Sequence, residues 1–485
     1  MSQNRFVYVR PLADREIRLI RLLPGFFDAP IHCELFEASL DDAELQYQAI
    51  SYAWGDASIT QCIECNGLGV DVTVSLGTAL QAFRYPEDVR ILWADALCIN
   101  QADLEERNRQ VSMMGDVYRS ASRVLVWLGV NETKSEHAIR TAITAMEYVT
   151  RLCPQILDIS DPEACSTKNL VDAFVAQGVD DVFASLELFY NRPYWKRFWC
   201  IQELCLAREV EVWLGCHMVS GAASGTFTWW LLKQVARQPD HVSRNVSSWM
   251  TTSATQLYRH SEGIRSKVMD IRSMKITQDF LLLLCDLQHQ QVTDKRDRIC
   301  GLLGIANNCE MTVVVEVNYS RSYEAMIQDF VKDVIRQQGN LGVLAYVDST
   351  SQDGSMPSWI PRWDLGLAKM PLSETVYYTG SSGFGLELYP KVEFPLGPLD
   401  INPAWFAKED ILELPGVIFD HVSEVSQQMK PIANFNELYH YLDTDSVARN
   451  WFRKMLRQLH EQAVSAGLFE PPQEDMFELA TTFFT

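Results

Sequence analysis

Short apolar runs alternate with amphipathic stretches along the first part of the chain, and each pattern predicts an element. Tyr47–Trp54 (YQAISYAW) is rich in β-branched and aromatic residues and ends in the turn chemistry of Gly55-Asp56, which predicts a strand. Gln61–Gly67 alternates and then turns at Asn66-Gly67, a hairpin signal. Ser75–Arg84 carries Leu76, Ala79, Leu80 and Phe83 at helical spacing, with Ser75 as a candidate N-cap. Val89–Asp95 reads as a short buried strand. Asp103–Ser122 reads as an amphipathic helix through Val111, Met114, Val117 and Tyr118, and Arg123–Gly129 as another apolar strand. Strand–helix alternation with nearly continuous apolar strands predicts a parallel sheet covered on both faces. The segments 47–54, 89–95, 123–129 and 209–214 should lie side by side, with the two helices as crossovers.

Further along, residues 130–190 read as a more polar helical insertion. Pro193 is expected to open a helix running to about Arg208, because proline is tolerated in a first turn. Glu209–Leu214 is a strand again. Beyond residue 225 the pattern turns helical at Trp229–Val235, Gln278–Leu287 and Tyr323–Gln337. Ser355–Asp420 is rich in Pro, Gly and aromatic residues, and Asn434–Gly467 returns to helical spacing. The expected organisation is an α/β domain at 1–225, a helical region at 226–355, and an irregular, partly β segment with C-terminal helices at 356–485.

Composition narrows the partners. The 485 residues hold 42 Lys and Arg against 63 Asp and Glu, a formal charge of −21. That balance argues against a nucleic-acid backbone or an anionic membrane surface, both of which call for a basic footprint. No apolar run approaches the ~20 residues needed to span a bilayer. The N-terminus has no apolar core of a secretory signal, so a cytoplasmic location is expected. The twelve cysteines are accordingly expected as free thiols. Cys62 and Cys65 have metal-ligand spacing, but no second Cys/His pair follows, so they read as strand cysteines and no metal is expected. No GxxxxGK[ST], GxSxG or HExxH run occurs, which leaves P-loop, α/β-hydrolase and zincin chemistry without support.

Candidate chemistry gathers at a few positions. Glu203 lies in a stretch that is apolar almost all round, so its carboxyl should be buried and raised in pKa unless a partner holds it. An ion pair with Lys196, or with an arginine of the 107–123 stretch, would explain it structurally. Asp95, Asn100 and Gln101 leave the C-terminal end of a strand, where open α/β sheets place ligands. Tyr52, Trp54 and Asp56 follow the first strand toward the same edge. Asp103 reads as the cap of the next helix, with Glu106 at the third position of a capping box. Cys98 and Cys200 flank the cleft so defined, although no histidine adjoins either in sequence.

Three blocks carry a family resemblance: YQAISYAWGD (47–56), ILWADALCINQADLEERNRQVSMMGDVYRSASRVLVWLG (91–129) and NRPYWKRFWCIQELCLA (191–207). Together they resemble the fungal heterokaryon incompatibility (HET) domain. The likeness extends through DREIRLIRLLPG (14–25), DKRDRICGLLGIA (294–306), VNYSRSYEAM (317–326) and PSWIPRWDL (357–365), with an echo at LELPGVIFDHVSEV (412–425). Long members often continue into a Gly-rich β segment that these residues do not include.

HET domains in turn resemble TIR domains, which implies a TIR-like, flavodoxin-like, mainly parallel sheet. By that resemblance Trp199-Cys-Ile-Gln-Glu-Leu204 is similar to the helix whose glutamate is catalytic in NAD-cleaving TIR enzymes, and here that residue is Glu203. Trp199 lies one turn before it, and Trp195 or Trp199 would stack the nicotinamide ring. Core packing explains both tryptophans equally well. NAD enters as a substrate, and no cofactor is expected.

Three functions remain open. One is an NAD-cleaving or nucleotide-processing effector of incompatibility or cell death. A second is a non-enzymatic death-signalling module that acts by assembly, as a homo-oligomer or with partners. The third is a cofactor-free biosynthetic enzyme that reuses the pocket for a small-molecule cyclisation or rearrangement. Fold alone does not choose among them.

Overall fold

The computed structural model describes residues 6–26, 28–130, 136–152, 185–186, 189–225, 227–228, 280–281, 284, 287–288, 290–306, 315–338, 341–347 and 354–365. Among them runs one nine-stranded sheet. Its strands are β1 (Glu16–Leu22), β2 (His32–Ser39), β3 (Gln48–Tyr52), β4 (Thr60–Cys65), β5 (Leu68–Thr73), β6 (Arg90–Trp93), β7 (Arg123–Trp127), β8 (Val210–Leu214) and β9 (His217–Ser220). The order across the sheet is β5-β4-β2-β1-β6-β3-β7-β8-β9.

The four strands expected side by side are adjacent and parallel, as β6-β3-β7-β8. The expectation of a mainly parallel sheet does not extend beyond them. Four of the eight strand pairings are antiparallel, and they include the two longest ladders, β1 with β2 and β4 with β5. The reason lies in the connections: short turns can join antiparallel neighbours, whereas parallel ones need a crossover. The β4–β5 turn is Asn66-Gly67 with φ of 52° and 75°, the double left-handed geometry of a type I′ hairpin. Strands β1, β2 and β9 extend the sheet beyond the predicted set. β1 sits between β2 and β6, so both its edges are paired, and even Arg18 is buried there.

Helix α1 (Val74–Phe83) begins one residue before the expected Ser75, because the Thr73 hydroxyl accepts the Leu76 N–H at 3.3 Å. A short α2 (Asp95–Cys98) precedes α3 (Leu104–Ser120), and α4 (Glu136–Leu152) occupies the start of the expected insertion. Asp103 caps α3, accepting the Glu105 and Glu106 N–H groups at 3.0 and 3.1 Å. α1 and α3 cover opposite faces of the parallel centre. Phe83 of α1 packs edge-on against Trp127 and Trp213, and Tyr118 of α3 packs edge-on against Trp93.

The helix expected from Pro193 to Arg208 is broken. A 3-10 turn at Pro193–Lys196 is followed by extended Arg197 (φ −74°, ψ 136°), and the α-helix α5 spans only Cys200–Cys205. The cause is tertiary: Gln291 N–H donates to the Lys196 carbonyl at 2.6 Å, and Phe198 N–H donates to the Gln291 carbonyl at 3.0 Å. Beyond lie α6 (Asp297–Cys300), α7 (Leu303–Ala306) and α8 (Tyr323–Gln338), the last as predicted. α7 reaches α3 and α5 through a close backbone approach of Gly304 to Gly115.

Among the described residues no helix is long and apolar enough to cross a membrane. Cys62 is exposed and Cys65 buried, three residues apart on opposite faces of β4. The segment expected to be irregular lies outside the described residues beyond 365. So do the helices expected at Trp229–Val235 and Asn434–Gly467, and most of Gln278–Leu287.

Candidate functional site

The site forms at the C-terminal ends of β3 and β6. Ser51 and Tyr52 end β3, Asp95 opens α2 immediately after β6, and the break before α5 brings Arg197 and Glu203 to the same place. Glu203 is 1% exposed. One carboxylate oxygen, Oε2, accepts the Ser51 hydroxyl, and Ser51 Oγ lies 2.7 Å from the Tyr194 hydroxyl. A serine has one proton to give, so a relay runs from Tyr194 through Ser51 to Glu203. The other oxygen, Oε1, has no hydrogen-bond partner and faces Arg197 Nη2 at 3.5 Å.

Electrostatics follow from this burial. Loss of solvent pushes the Glu203 carboxyl above the usual range, Arg197 and Ser51 pull against that rise, and Asp95 adds to it. Asp95 is likewise raised by burial, against the opposing pull of Arg197 and of the Trp54 indole N–H, which donates to Oδ2 at 2.9 Å. Burial works against the charge of Arg197, but the two carboxylates outweigh it and hold the guanidinium protonated. The Tyr52, Tyr118 and Tyr194 hydroxyls are all raised by burial. Three buried polar atoms here are poorly satisfied: Arg197 Nη1 makes no hydrogen bond, Glu203 Oε1 meets Arg197 only at 3.5 Å, and Tyr52 Oη only approaches the Asp95 carboxylate. Such groups are rare in folded proteins and point to function more often than ordinary core atoms do.

The expected residues separate into distinct groups. Tyr52, Trp54, Asp95 and Glu203 come together. Trp199 is half-buried at the start of α5, and its indole N–H is within reach of Asp297, which also accepts the Tyr319 hydroxyl at 2.6 Å. Trp195 lies in the core, donating to the Phe189 carbonyl at 2.9 Å among Phe189, Tyr190 and Tyr194. Asp56 stands apart in an exposed turn, where its bonds to Ser58 hold its carboxyl below the usual range.

Asn100 and Gln101 shape the loop: Asn100 Oδ1 accepts the Ala102 N–H at 3.2 Å, and Gln101 Nε2 donates to the Asp95 carbonyl at 3.0 Å. The ion pair expected for Glu203 exists, but with Arg197 in place of Lys196 or an arginine of α3. Glu106 does not complete a capping box. It takes a bidentate bond from buried Arg18 at 2.5 and 3.0 Å and the Asn100 N–H at 2.7 Å. Burial raises the thiols of Cys98 and Cys200, the wrong direction for a nucleophile. Among the described residues no group of His, Cys, Asp and Glu side chains is placed to hold a metal ion.

Sequence reasoning missed Ser51, Tyr194, Arg197 and Tyr118. A serine in an otherwise apolar strand was the available signal for Ser51. Nothing local marked Arg197, because its position depends on the distant Gln291.

Fold and site together define an α/β protein with a buried carboxylate pair at the ends of its parallel strands. Residues 47–203 match the family described as Heterokaryon incompatibility protein (HET). Heterokaryon incompatibility protein 6, OR allele, of Neurospora crassa is 26% identical over 412 residues, covering 73% of this chain. The chain spans 58% of the length of that relative. Both findings support the resemblance to the HET family. No solved structure matches the chain.

Proposed function

We propose that this chain is an effector of the fungal incompatibility or cell-death type whose HET segment cleaves the N-glycosidic bond of NAD or a related nucleotide. The observation that carries the reading is Glu203 Oε1, a buried carboxylate oxygen with no hydrogen bond, beside Asp95 and Arg197 at the end of β3. The strand order β6-β3-β7-β8 is that of doubly wound sheets, which place ligands where the order reverses, between β3 and β7, and β3, which borders that crevice, carries Ser51 and Tyr52 at its C-terminal end. A TIR-like ancestry fits the same order and the same glutamate.

In the proposed reaction the bond between ribose C1 and the ring nitrogen breaks, and its electron pair leaves with neutral nicotinamide. Water adds to C1 and gives up a proton, yielding ADP-ribose. The carboxylate of Glu203 faces the positive charge that develops on the ribose, so it stabilises the oxocarbenium-like transition state more than the bound substrate. Ser51, itself bonded by the Tyr194 hydroxyl, holds its second oxygen. Glu203 is 1% exposed, so substrate reaches it only when neighbouring side chains shift. That closure favours a second reading, a signalling module that acts by assembly and uses the Arg197–Glu203 pair as structure. Nothing in the geometry favours the biosynthetic reading.

Incubation of the purified chain with NAD, followed by product analysis, tests the proposal. Glu203→Gln should lower turnover by roughly 10²–10⁴-fold with a smaller change in affinity. A folded Glu203→Gln protein with full activity, or a wild-type chain inert toward every nucleotide tried, leaves the assembly reading in its place.

A further inference from the structure

The break between the 3-10 turn and α5 is held by two glutamines far away in sequence. Extending a helix through Arg197 would satisfy the carbonyls of Trp195 and Lys196 internally. Here they are freed, and the partners come from Gln290 and Gln291. With its amide nitrogen turned toward them, the buried Gln290 side chain donates to the Lys196 carbonyl at 2.8 Å and the Trp195 carbonyl at 3.0 Å. The Gln291 backbone gives its N–H to Lys196 and takes the Phe198 N–H, a one-residue parallel bridge to Arg197. The Gln291 side chain itself is exposed. Neither glutamine lies in the family-matched stretch, which ends at residue 203.

The bridge fixes Arg197 in an extended conformation, and its side chain then meets Glu203 at 3.5 Å. The groups facing Glu203 are Arg197 from the break, Asp95 from α2, Ser51 from β3, Tyr118 from α3, Tyr194 from the 3-10 turn and Cys200 on its own helix. Arg197 is the one cation in that set. We propose that Gln290 and Gln291 are positioning residues of the site: they hold the chain out of the helix at Arg197 and so set the guanidinium against Glu203 and Asp95. What this controls in catalysis rests on the function proposed above, whereas the placement itself does not. When the clasp is intact, Arg197 opposes the effect of burial on Glu203. When it is released, residues 193–205 are free to wind into one helix, Arg197 is withdrawn, and Glu203 holds its proton to higher pH.

The test reads the carboxyl directly. Infrared difference spectroscopy follows protonation of Glu203 in the full chain, the band being identified by its loss in Glu203→Gln. Gln290→Met keeps the bulk and removes both donors. The Glu203 titration should move to higher pH in Gln290→Met, and also in Arg197→Gln. It should move less in Arg197→Lys and stay unchanged in Gln291→Ala, which retains the backbone bridge. If Gln290→Met does not fold, Gln290→Asn withdraws the amide from both carbonyls by one methylene and serves in its place. An unmoved titration in the folded Gln290 variant, or in Arg197→Gln, overturns the proposal, as does a shift in Gln291→Ala. These readouts need no turnover, so an inert wild-type chain would sink the NAD reading and leave this inference standing.

Discussion

Two buried glutamates each face one arginine, and their different geometry predicts opposite responses to the same substitution. Glu106 is fully partnered: Arg18 binds it through two bonds, the Asn100 N–H adds a third, and Arg18 itself donates to the Cys98 and Arg10 carbonyls and lies 4.6 Å over the Tyr8 ring. Burial pushes the Glu106 carboxyl up, but these bonds outweigh burial and hold it below the usual range. Its contribution to stability is therefore present above the unfolded carboxylate value and is lost as pH falls through the folded one. Glu106→Gln leaves Arg18 as a buried charge without its counter-ion, which costs about 3–5 kcal/mol.

Glu203 runs the other way. Burial leaves its carboxyl raised, so ionising it works against the fold, and that cost is complete at pH above its folded value. Glu203→Gln removes the cost, keeps an acceptor for Ser51, and leaves Arg197 beside Asp95. At neutral pH it should therefore be neutral or stabilising, with the difference from wild type shrinking as pH falls toward the unfolded carboxylate range. Urea unfolding at pH 7 and pH 5, read by tryptophan fluorescence and far-UV circular dichroism, checks both signs. Arg18→Met combined with Glu106→Leu should recover most of the Glu106 loss, since a buried pair replaced by apolar groups is often near neutral. Should Glu203→Gln cost as much as Glu106→Gln, Glu203 is an ordinary structural ion pair and the argument for function at that oxygen fails.

Two further substitutions test the frame around the site. Gly304→Ala would place a Cβ 2.8 Å from Gly115 Cα and 2.7 Å from Gln202 Oε1. Backbone cannot yield there, so a loss of about 1–3 kcal/mol is expected as a lowered melting temperature in a thermal shift. Asp103→Ala removes the cap that takes the Glu105 and Glu106 N–H groups and should cost about 1 kcal/mol in urea unfolding; Asp103→Asn should lose much less.

Local chemistry explains what was legible in the sequence. The Asn66-Gly67 turn, the Asp103 cap and the four apolar parallel strands depend on residues within a few positions of one another, and each appears where expected. Tyr52, Trp54 and Asp95 end or follow strands whose own patterns are strong, so their common place at the sheet edge was legible, whereas Glu203 lies inside α5 and was singled out by its apolar surround and the family resemblance. What escaped depends on distant partners. Arg18 lies in β1, and the significance of its burial comes only from Glu106, 88 residues on. The Pro193 helix has sound helical spacing, yet tertiary bonds to Gln290 and Gln291 override it. Trp195 and Trp199 look alike in the sequence, and only packing separates the core indole from the one within reach of Asp297.

The stretch matched by the family, residues 47–203, contains the carboxylates and the groups that Asp95 and Glu203 meet directly, Ser51, Trp54 and Arg197, but not the segments that position Glu106 and Arg197. Arg18, which fixes Glu106 and through it the Asn100 loop, comes from β1. Gln290 and Gln291, which set Arg197, come from beyond β9, as do Asp297 beside Trp199 and Gly304, whose N–H donates to Gln202 Oε1 at 2.8 Å. The β1 strand also covers the free edge of β6, so the parallel centre would otherwise present an unpaired strand. A site whose charges are local and whose positioning is remote can change its behaviour while the matched stretch stays the same. The segment around 290–304 is therefore where substitutions should alter how Arg197 meets Glu203 while residues 47–203 stay unchanged.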